Sequence, residues 1–165
     1  DMMIGAKSFA AGMPIASVVG KAEIMGSVHP FGVGGTYGAN ALCCRAALAV
    51  MDIFNEEDLL QRAQKLGDRL RSNLDTFKQE YEVVGDVRGL GPMMAIELVK
   101  DRENKMPASD EAKSLATYCY DRGLILLTCG AHSNVVRLLM PLVITEAQLG
   151  KGLEILNDGL AAISR

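Results

Sequence analysis

Apolar residues recur at helical spacing through the middle of the chain. From residue 59 to residue 81 they follow one another three or four positions apart, the period of one buried helix face. The pattern predicts a long amphipathic helix, with Asn55 as its N-terminal cap and three acidic residues near the positive end of its dipole. The periodic positions are Leu59, Ala63, Leu66, Leu70, Leu74, Phe77 and Tyr81.

Beyond this helix, apolar runs alternate with further helical patterns. The segment 83–91, "VVGDVRGLG", is interpreted as a turn, because its glycines interrupt the apolar positions. Thr145 and Gln148 have the spacing of a capping box at the start of a closing helix. We therefore expect a compact α/β unit from about residue 55 onward. Its other predicted elements are strands at 93–99, 124–129 and 135–140 and a helix at 110–122.

The first 40 residues have a different character. They hold eight of the 17 glycines, which weakens any helix or strand. "MMIGA" and "PIASVVG" are short apolar runs that predict buried strands, and residues 29–40 predict a glycine-rich loop before a helix at about 40–54. Because this part lacks a core of its own, we expect it to pack against protein outside this chain.

Composition narrows the class of protein. The 165 residues are 49% hydrophobic and 22% charged, with a net charge of −3, so we expect neither nucleic acid nor an anionic membrane as a partner. Apolar runs are too short or too interrupted to span a bilayer. The four cysteines lack metal-ligand spacing, and Cys43 and Cys44 are adjacent. Free thiols in a cytoplasmic protein without a metal are therefore expected.

Lys7 stands among small residues in "GAKSFAAG". A partly desolvated lysine can attack an aldehyde carbonyl, and small neighbours leave room for a flat molecule to approach. The alternative is an ordinary surface lysine, and local chemistry alone favours that alternative because most lysines are exposed.

Two further segments could bind anions. The glycines of "GVGGTYG" can offer backbone N–H groups to a phosphate, with the Thr36 hydroxyl as a further donor, although a plain surface turn fits the segment equally well. Arg137 is a lone cation in the apolar run "VVRLLMPL". It could hold a substrate carboxylate, or it could form an internal salt bridge, with Glu97 as the candidate partner.

Four motifs occur in an order that is typical of one enzyme family. They are "AKSFAAGMPIASVVGKAEIM", "GGTYGAN", "DVRGLGPMMAIEL" and "GLILLTCGAHSNVVRLLMPL". Together they resemble the class III, or omega, aminotransferases, which use pyridoxal 5′-phosphate, and above all the branch that converts 4-aminobutyrate. The resemblance covers nearly the whole chain.

The resemblance implies a fold and a set of site residues. The chain would comprise the end of the large cofactor-binding domain, residues 1–55, and the small C-terminal α/β domain, residues 56–165, of a fold-type-I enzyme. The family's cofactor lysine falls on Lys7, its phosphate-binding threonine on Thr36 and its carboxylate-binding arginine on Arg137. In this family the threonine serves the cofactor of the neighbouring subunit, so a homodimer or a dimer of dimers is implied.

The implied reaction moves an amino group from an omega-amino acid, such as 4-aminobutyrate, to a keto acid such as 2-oxoglutarate. Two alternatives are a racemase, epimerase or aminomutase of the same fold, and a non-catalytic α/β interaction module. Family members carry further cofactor-binding residues upstream of these motifs, including an aspartate that pairs with the pyridine nitrogen. We expect the 165-residue chain alone to be inactive, because that aspartate maintains the ring as an electron sink.

Overall fold

The computed structural model describes residues 1–164, which fall into two compact units. The first unit is Asp1–Leu59, and the second begins at Leu60. Both contain helices and strands, which confirms the predicted α/β class. The assignment of 1–55 to a large cofactor-binding domain and of 56–165 to a small domain stays a prediction.

The first unit consists of a strand pair and a few short elements before one regular helix. Strand β1 (Met2–Gly5) pairs antiparallel with β2 (Ser17–Gly20), and a 3₁₀-helix (Lys7–Ala10) lies between them in sequence. Helix α1 (Ala22–Met25) is a single turn, and α2 (Ala41–Glu56) is the only long helix described in this unit. The residues from 27 to 40 form the predicted glycine-rich loop without regular structure.

Helix α2 begins where a side chain can satisfy its free backbone amides. The Asn40 side-chain oxygen accepts hydrogen bonds from the N–H groups of Leu42 and Cys43, at 3.1 and 3.3 Å. Such a cap stabilises a helix by about 1 kcal/mol. It also fixes where the glycine-rich loop ends and regular structure begins.

The expectation of buried strands at the start of the chain is wrong for β1 and β2. Met3, Ile4 and Val19 are 65%, 75% and 59% exposed. The two strands form a sheet of their own, and no other strand described in residues 1–164 extends it. The apolar and β-branched residues thus predicted correctly that these segments are strands, but not that their side chains are exposed.

The start of the long helix also differs from the prediction. Asn55 lies in the last turn of α2, and helix α3 covers Leu59–Glu80. The chain breaks between the two helices at Asp58, whose backbone φ is +47°. Because that left-handed conformation ends a helix, Asn55 does not cap α3.

The second unit is built on an antiparallel sheet. Strands β3 (Val84–Leu90), β4 (Met93–Asp101), β7 (Val135–Leu138) and β6 (Leu127–Cys129) lie side by side in that order. The two-residue strand β5 (Met106–Pro107) pairs with the far end of β4. Helices α3, α4 (Ser109–Tyr120) and α5 (Glu146–Ile163) supply the rest of the unit.

One face of this sheet forms the core together with the three helices. Alternate residues of β4 are buried, and the periodic positions of α3 are buried or partly buried, as predicted. The other face of the sheet, called the outer face below, carries more exposed and more polar side chains. Fully buried core positions include Leu70, Leu74, Ile96, Leu98, Leu115, Val136, Leu156 and Leu160.

The segment interpreted as a turn is instead strand β3. Gly85 lies at a register shift, and Gly89 has a φ of +151° that other residues rarely adopt. Glycine disfavours strands locally, yet pairing with β4 overrides this preference. A Cβ at Gly89 would lie 2.2 Å from the Met93 carbonyl oxygen, so the glycine is required by the close approach of the two strands.

The last elements follow the sequence closely. The capping box is present at Thr145 and Gln148, and α5 follows it as predicted. Strand β6 is shorter than predicted, because Leu124 and Leu126 pack against the core before the strand begins at Leu127. No helix in the described part of the chain, residues 1–164, is long and apolar enough to cross a bilayer.

Gly67 on α3 permits a backbone contact that a side chain would prevent. A Cβ at this position would lie 2.5 Å from the carbonyl carbon of Gly91, in the turn between β3 and β4. We expect Gly67→Ala to lower the free energy of unfolding by about 1–3 kcal/mol, despite the better helix propensity of alanine.

The matched control is Gly150→Ala on α5, where the nearest atom to an added Cβ is 3.8 Å away. This change should be neutral or stabilising by up to about 1 kcal/mol. Urea unfolding of both variants measures the difference, and equal stability of the two variants would contradict the close-packing interpretation.

Candidate active site

Lys7 begins the 3₁₀-helix of the first unit and is exposed. Its backbone φ is +58°, in the left-handed region that costs a non-glycine residue about 1–2 kcal/mol. Strained backbone of this kind is found at functional sites, but here it also occurs at six other non-glycine residues of the described chain. Lys7 was identified from its neighbours in the sequence. Its left-handed backbone conformation was not predicted, because a positive φ is expected from sequence chiefly at glycine.

A cavity of about 520 Å³ lies beside this lysine. It is lined by Ala6 and Ser8, the two neighbours of Lys7 in sequence, and by apolar residues of α2 such as Val50 and Met51. Lys7 is not among the lining residues. That the small neighbours leave room for a flat molecule at Lys7 itself stays a prediction.

Thr36 lies in the exposed loop before α2. The turn around it is closed by a hydrogen bond from the Gly38 N–H to the Gly35 carbonyl, at 2.9 Å. Gly34 and Gly35 have nothing within 4 Å of an added Cβ, so their backbone is open on the side where a side chain would stand. A hydroxyl and accessible backbone amides are the donor set that binds phosphate.

Arg137 lies on β7, on the outer face of the sheet in the second unit, and is exposed. It is paired with Ala95 of β4 on one side and with Leu127 of β6 on the other. Among residues 1–164, no carboxylate oxygen lies within 4.0 Å of its guanidinium. The guanidinium is therefore available for an anion from outside this unit.

The internal salt bridge between Arg137 and Glu97 is not formed. Glu97 instead binds Arg88 of β3, with 2.7 Å between the carboxylate oxygen and the guanidinium nitrogen. Arg88 also donates to Asp86 at 2.7 Å. Register alone does not decide between the two arginines, since Glu97 is the diagonal neighbour of each. Asp86 lies directly opposite Glu97, and Arg88 compensates the charge of both carboxylates at once.

This charged cluster was missed by the sequence analysis. The hydrogen bond from Arg88, followed by the charges of Arg88 and Lys78, holds the pKa of Asp86 below its usual value despite some desolvation. Hydrogen bonds to Asp86 and then to Glu97 raise the pKa of Arg88. The signal was the alternation in "DVR" and "AIEL", which places these charges on the polar face of two strands.

Cys119 is a buried cysteine of the core. Burial raises the pKa of Cys119 on α4 to about 11, with a small opposing effect of Arg122. The thiol is therefore protonated at neutral pH and is a poor nucleophile. No cluster of three or more metal-ligating side chains occurs in the described range 1–164.

The structure places the three candidate residues in two units. Lys7 and Thr36 belong to the first unit, and Arg137 belongs to the second. Their chemistry is that of an amine for an aldehyde, a hydroxyl for a phosphate and a guanidinium for a carboxylate.

The chain matches a protein-family model and is similar to known enzymes. A family model described as Aminotransferase class-III matches residues 1–160. A 5-aminovalerate aminotransferase of Pseudomonas aeruginosa is 47% identical over 96% of this chain and 37% of its own length. A 4-aminobutyrate aminotransferase of Escherichia coli is 45% identical, again over 96% of this chain and 37% of its own length.

Other similar proteins include an enzyme with a different activity and a protein of known structure. A leucine/methionine racemase of Thermococcus litoralis is 44% identical over 99% of this chain and 36% of its own length. Among solved structures, a transaminase from the marine bacterium Virgibacillus superposes with a TM-score of 0.89, at 28% identity, over 99% of this chain and 39% of that one. The chain therefore spans just over a third of the length of the relatives it matches.

Proposed function

Because this chain belongs to the class III aminotransferase family, we propose that the protein containing it transfers an amino group from an omega-amino acid to a keto acid. 4-Aminobutyrate and 5-aminovalerate are the donors that the names of similar enzymes suggest, and 2-oxoglutarate is the proposed acceptor. The observation that carries the proposal is Lys7, an exposed amine held in a left-handed backbone conformation among small neighbours.

We propose pyridoxal 5′-phosphate as the cofactor. When bound, it supplies an electron sink for the substrate carbon that carries the amine. Lys7 Nζ would hold the cofactor covalently at rest. With its Nζ free, Lys7 would act as the general base that accepts the proton of the substrate carbon and as the general acid that returns it.

The other two candidate residues would orient the reactants. The Thr36 hydroxyl would donate a hydrogen bond to the cofactor phosphate, together with backbone N–H groups of its glycine-rich loop. The Arg137 guanidinium would bind a substrate carboxylate through two parallel hydrogen bonds. Its exposure and its lack of an ion-pair partner within residues 1–164 support this role.

We further propose that the protein acts as a homodimer or a dimer of dimers in the cytoplasm. The first unit exposes large apolar side chains, among them Phe31, Val33, Tyr37 and Leu42, each more than two thirds exposed. Apolar surface of this extent indicates contact with further protein. The loop that carries Thr36 lies within this surface, which supports a role of Thr36 across a subunit interface.

Isotope transfer tests the proposed reaction. The complete polypeptide, supplied with pyridoxal phosphate, is incubated with a ¹⁵N-labelled omega-amino acid and 2-oxoglutarate. Appearance of ¹⁵N-glutamate is the expected result. A colourless protein that binds no pyridoxal phosphate and transfers no label would favour the non-catalytic interaction module instead.

The similarity to a leucine/methionine racemase supports a second candidate function. In a racemase the proton returns to the opposite face of the same carbon, so the substrate keeps its nitrogen. Incubation of a labelled L-amino acid would then yield the labelled D-amino acid and no labelled glutamate. Chiral chromatography of this incubation with the labelled L-amino acid distinguishes a racemase from an aminotransferase.

Removal of the Thr36 hydroxyl should weaken cofactor binding more than it slows the reaction. Thr36→Ala removes one charge-assisted hydrogen bond of about 1.5–3 kcal/mol, so the Kd for pyridoxal phosphate should rise roughly ten- to a hundred-fold. Thr36→Ser keeps the hydroxyl and is the matched control. Equal cofactor affinity of the alanine variant and the wild type, by equilibrium dialysis, would show that this loop is only a turn.

A further inference from the structure

The outer face of the sheet in the second unit places two arginines on either side of one small residue. Arg88 of β3 and Arg137 of β7 are both paired with Ala95 of β4. Residues paired across antiparallel strands project to the same side of the sheet. The two guanidiniums therefore share the outer face, separated by the width of one strand and an alanine.

Glu97 has the same position in the sheet relative to each of the two arginines. It is two residues beyond Ala95 on β4, so it is the diagonal neighbour of Arg88 on one side and of Arg137 on the other. Diagonal neighbours have Cα atoms about 7–8 Å apart, within reach of long side chains. The register of the sheet alone would allow the carboxylate to bind either guanidinium.

In the structure the carboxylate of Glu97 binds Arg88, at 2.7 Å. Asp86 contacts the same guanidinium nitrogen, Nη1, also at 2.7 Å. Arg88 thereby forms ion pairs with two carboxylates on the β3 side of the face. Arg137 has no ion-pair partner in the described residues 1–164.

We propose that Arg88 is a positioning residue for substrate binding, because it holds Glu97 on the β3 side of the sheet and thereby leaves Arg137 free to bind the substrate carboxylate. The inference rests on the proposed function of Arg137. It assigns a specificity role to a side chain that touches neither substrate nor cofactor. Without Arg88, Glu97 would turn to Arg137 and compete with the substrate for the guanidinium.

The test compares three variants of the complete enzyme: Arg88→Gln, Glu97→Gln and the double variant. Arg88→Gln should raise the KM for carboxylate-bearing substrates about tenfold, by analogy with the coupling energies of neighbouring charges. The specificity constant for an amine without a carboxylate should not change. The double variant should return the KM to within about twofold of wild type, since the competing carboxylate is gone.

A purely structural role of Arg88 gives a different pattern. Arg88→Gln would then lower the melting temperature and leave the KM unchanged, or the double variant would be as impaired as the single one. Either result overturns the proposal. If Arg88→Gln does not fold, Arg88→Met keeps the aliphatic part of the side chain and must satisfy the same expectations.

Inhibition by glutarate gives a readout that does not depend on turnover of a carboxylate substrate. With the amine as substrate, the inhibition constant of glutarate should rise about tenfold in Arg88→Gln and recover in the double variant. Arg137→Lys distinguishes failure of the positioning role of Arg88 from failure of the proposed role of Arg137. If it raises the KM and Arg88→Gln does not, only this inference fails, whereas no effect of Arg137→Lys removes the proposed role of Arg137 itself.

Discussion

Replacement of Lys7 by alanine in the complete enzyme should lower turnover at least about a thousand-fold, while the protein still folds. The amine would be lost both as the group that holds the cofactor and as the group that moves the proton, and a positioned acid–base group alone contributes about 10²- to 10⁴-fold. Stability should change little, because Lys7 is exposed and alanine keeps the same β-carbon in the left-handed conformation.

A second measurement tests Lys7 without reference to activity. After reduction with borohydride and proteolysis, the peptide that contains Lys7 should carry the mass of the cofactor, and the alanine variant should not. Lys21→Ala is the matched control, since Lys21 is an exposed lysine of the same unit whose 2.6 Å ion pair with Asp1 is itself exposed. Near-normal turnover of a folded Lys7→Ala enzyme would refute the assignment.

Replacement of Arg137 by lysine should reduce the specificity constant for carboxylate-bearing substrates roughly ten- to a hundred-fold. Lysine keeps the charge and loses the planar fork that fits a carboxylate, at a cost of about 1.5–3 kcal/mol in the transition state. The effect should appear chiefly as a higher KM. A simple amine without a carboxylate serves as the control substrate and should react at the wild-type rate.

The melting temperature distinguishes this role of Arg137 from a structural one. Because its guanidinium has no ion-pair partner within residues 1–164, Arg137→Lys should leave the melting temperature nearly unchanged. A clear loss of stability with unaltered kinetics would mean that the arginine serves the fold. Steady-state kinetics and a thermal melt of one variant therefore decide between the two interpretations.

The sequence predicted those parts of the fold that are set by local periodicity. Helix α3 and the capping box at Thr145 were predicted correctly because the spacing of apolar positions and caps acts within a few residues. Strand β3 was missed because its glycines disfavour a strand locally. Only its pairing with β4, a tertiary contact, makes it one.

The sequence identified candidate site residues, but it did not predict which side chains contact one another. Lys7, Thr36 and Arg137 were identified from their neighbours and from a resemblance of motifs, and their roles stay predictions. The alternative of an Arg137–Glu97 pair was wrong because Glu97 binds Arg88, which also compensates Asp86 directly opposite Glu97. The left-handed backbone of Lys7 leaves no trace in the sequence, since such strain is imposed by the surrounding fold.

The exposed strand pair β1–β2 has a consequence for contacts with other chains. Its apolar side chains are exposed on a sheet of only two strands, so its unpaired edges can template pairing with another copy of the same segment. Such pairing would bring together apolar side chains that are otherwise in contact with water. Any further protein that covers this ribbon removes both its apolar surface and its free edges from water.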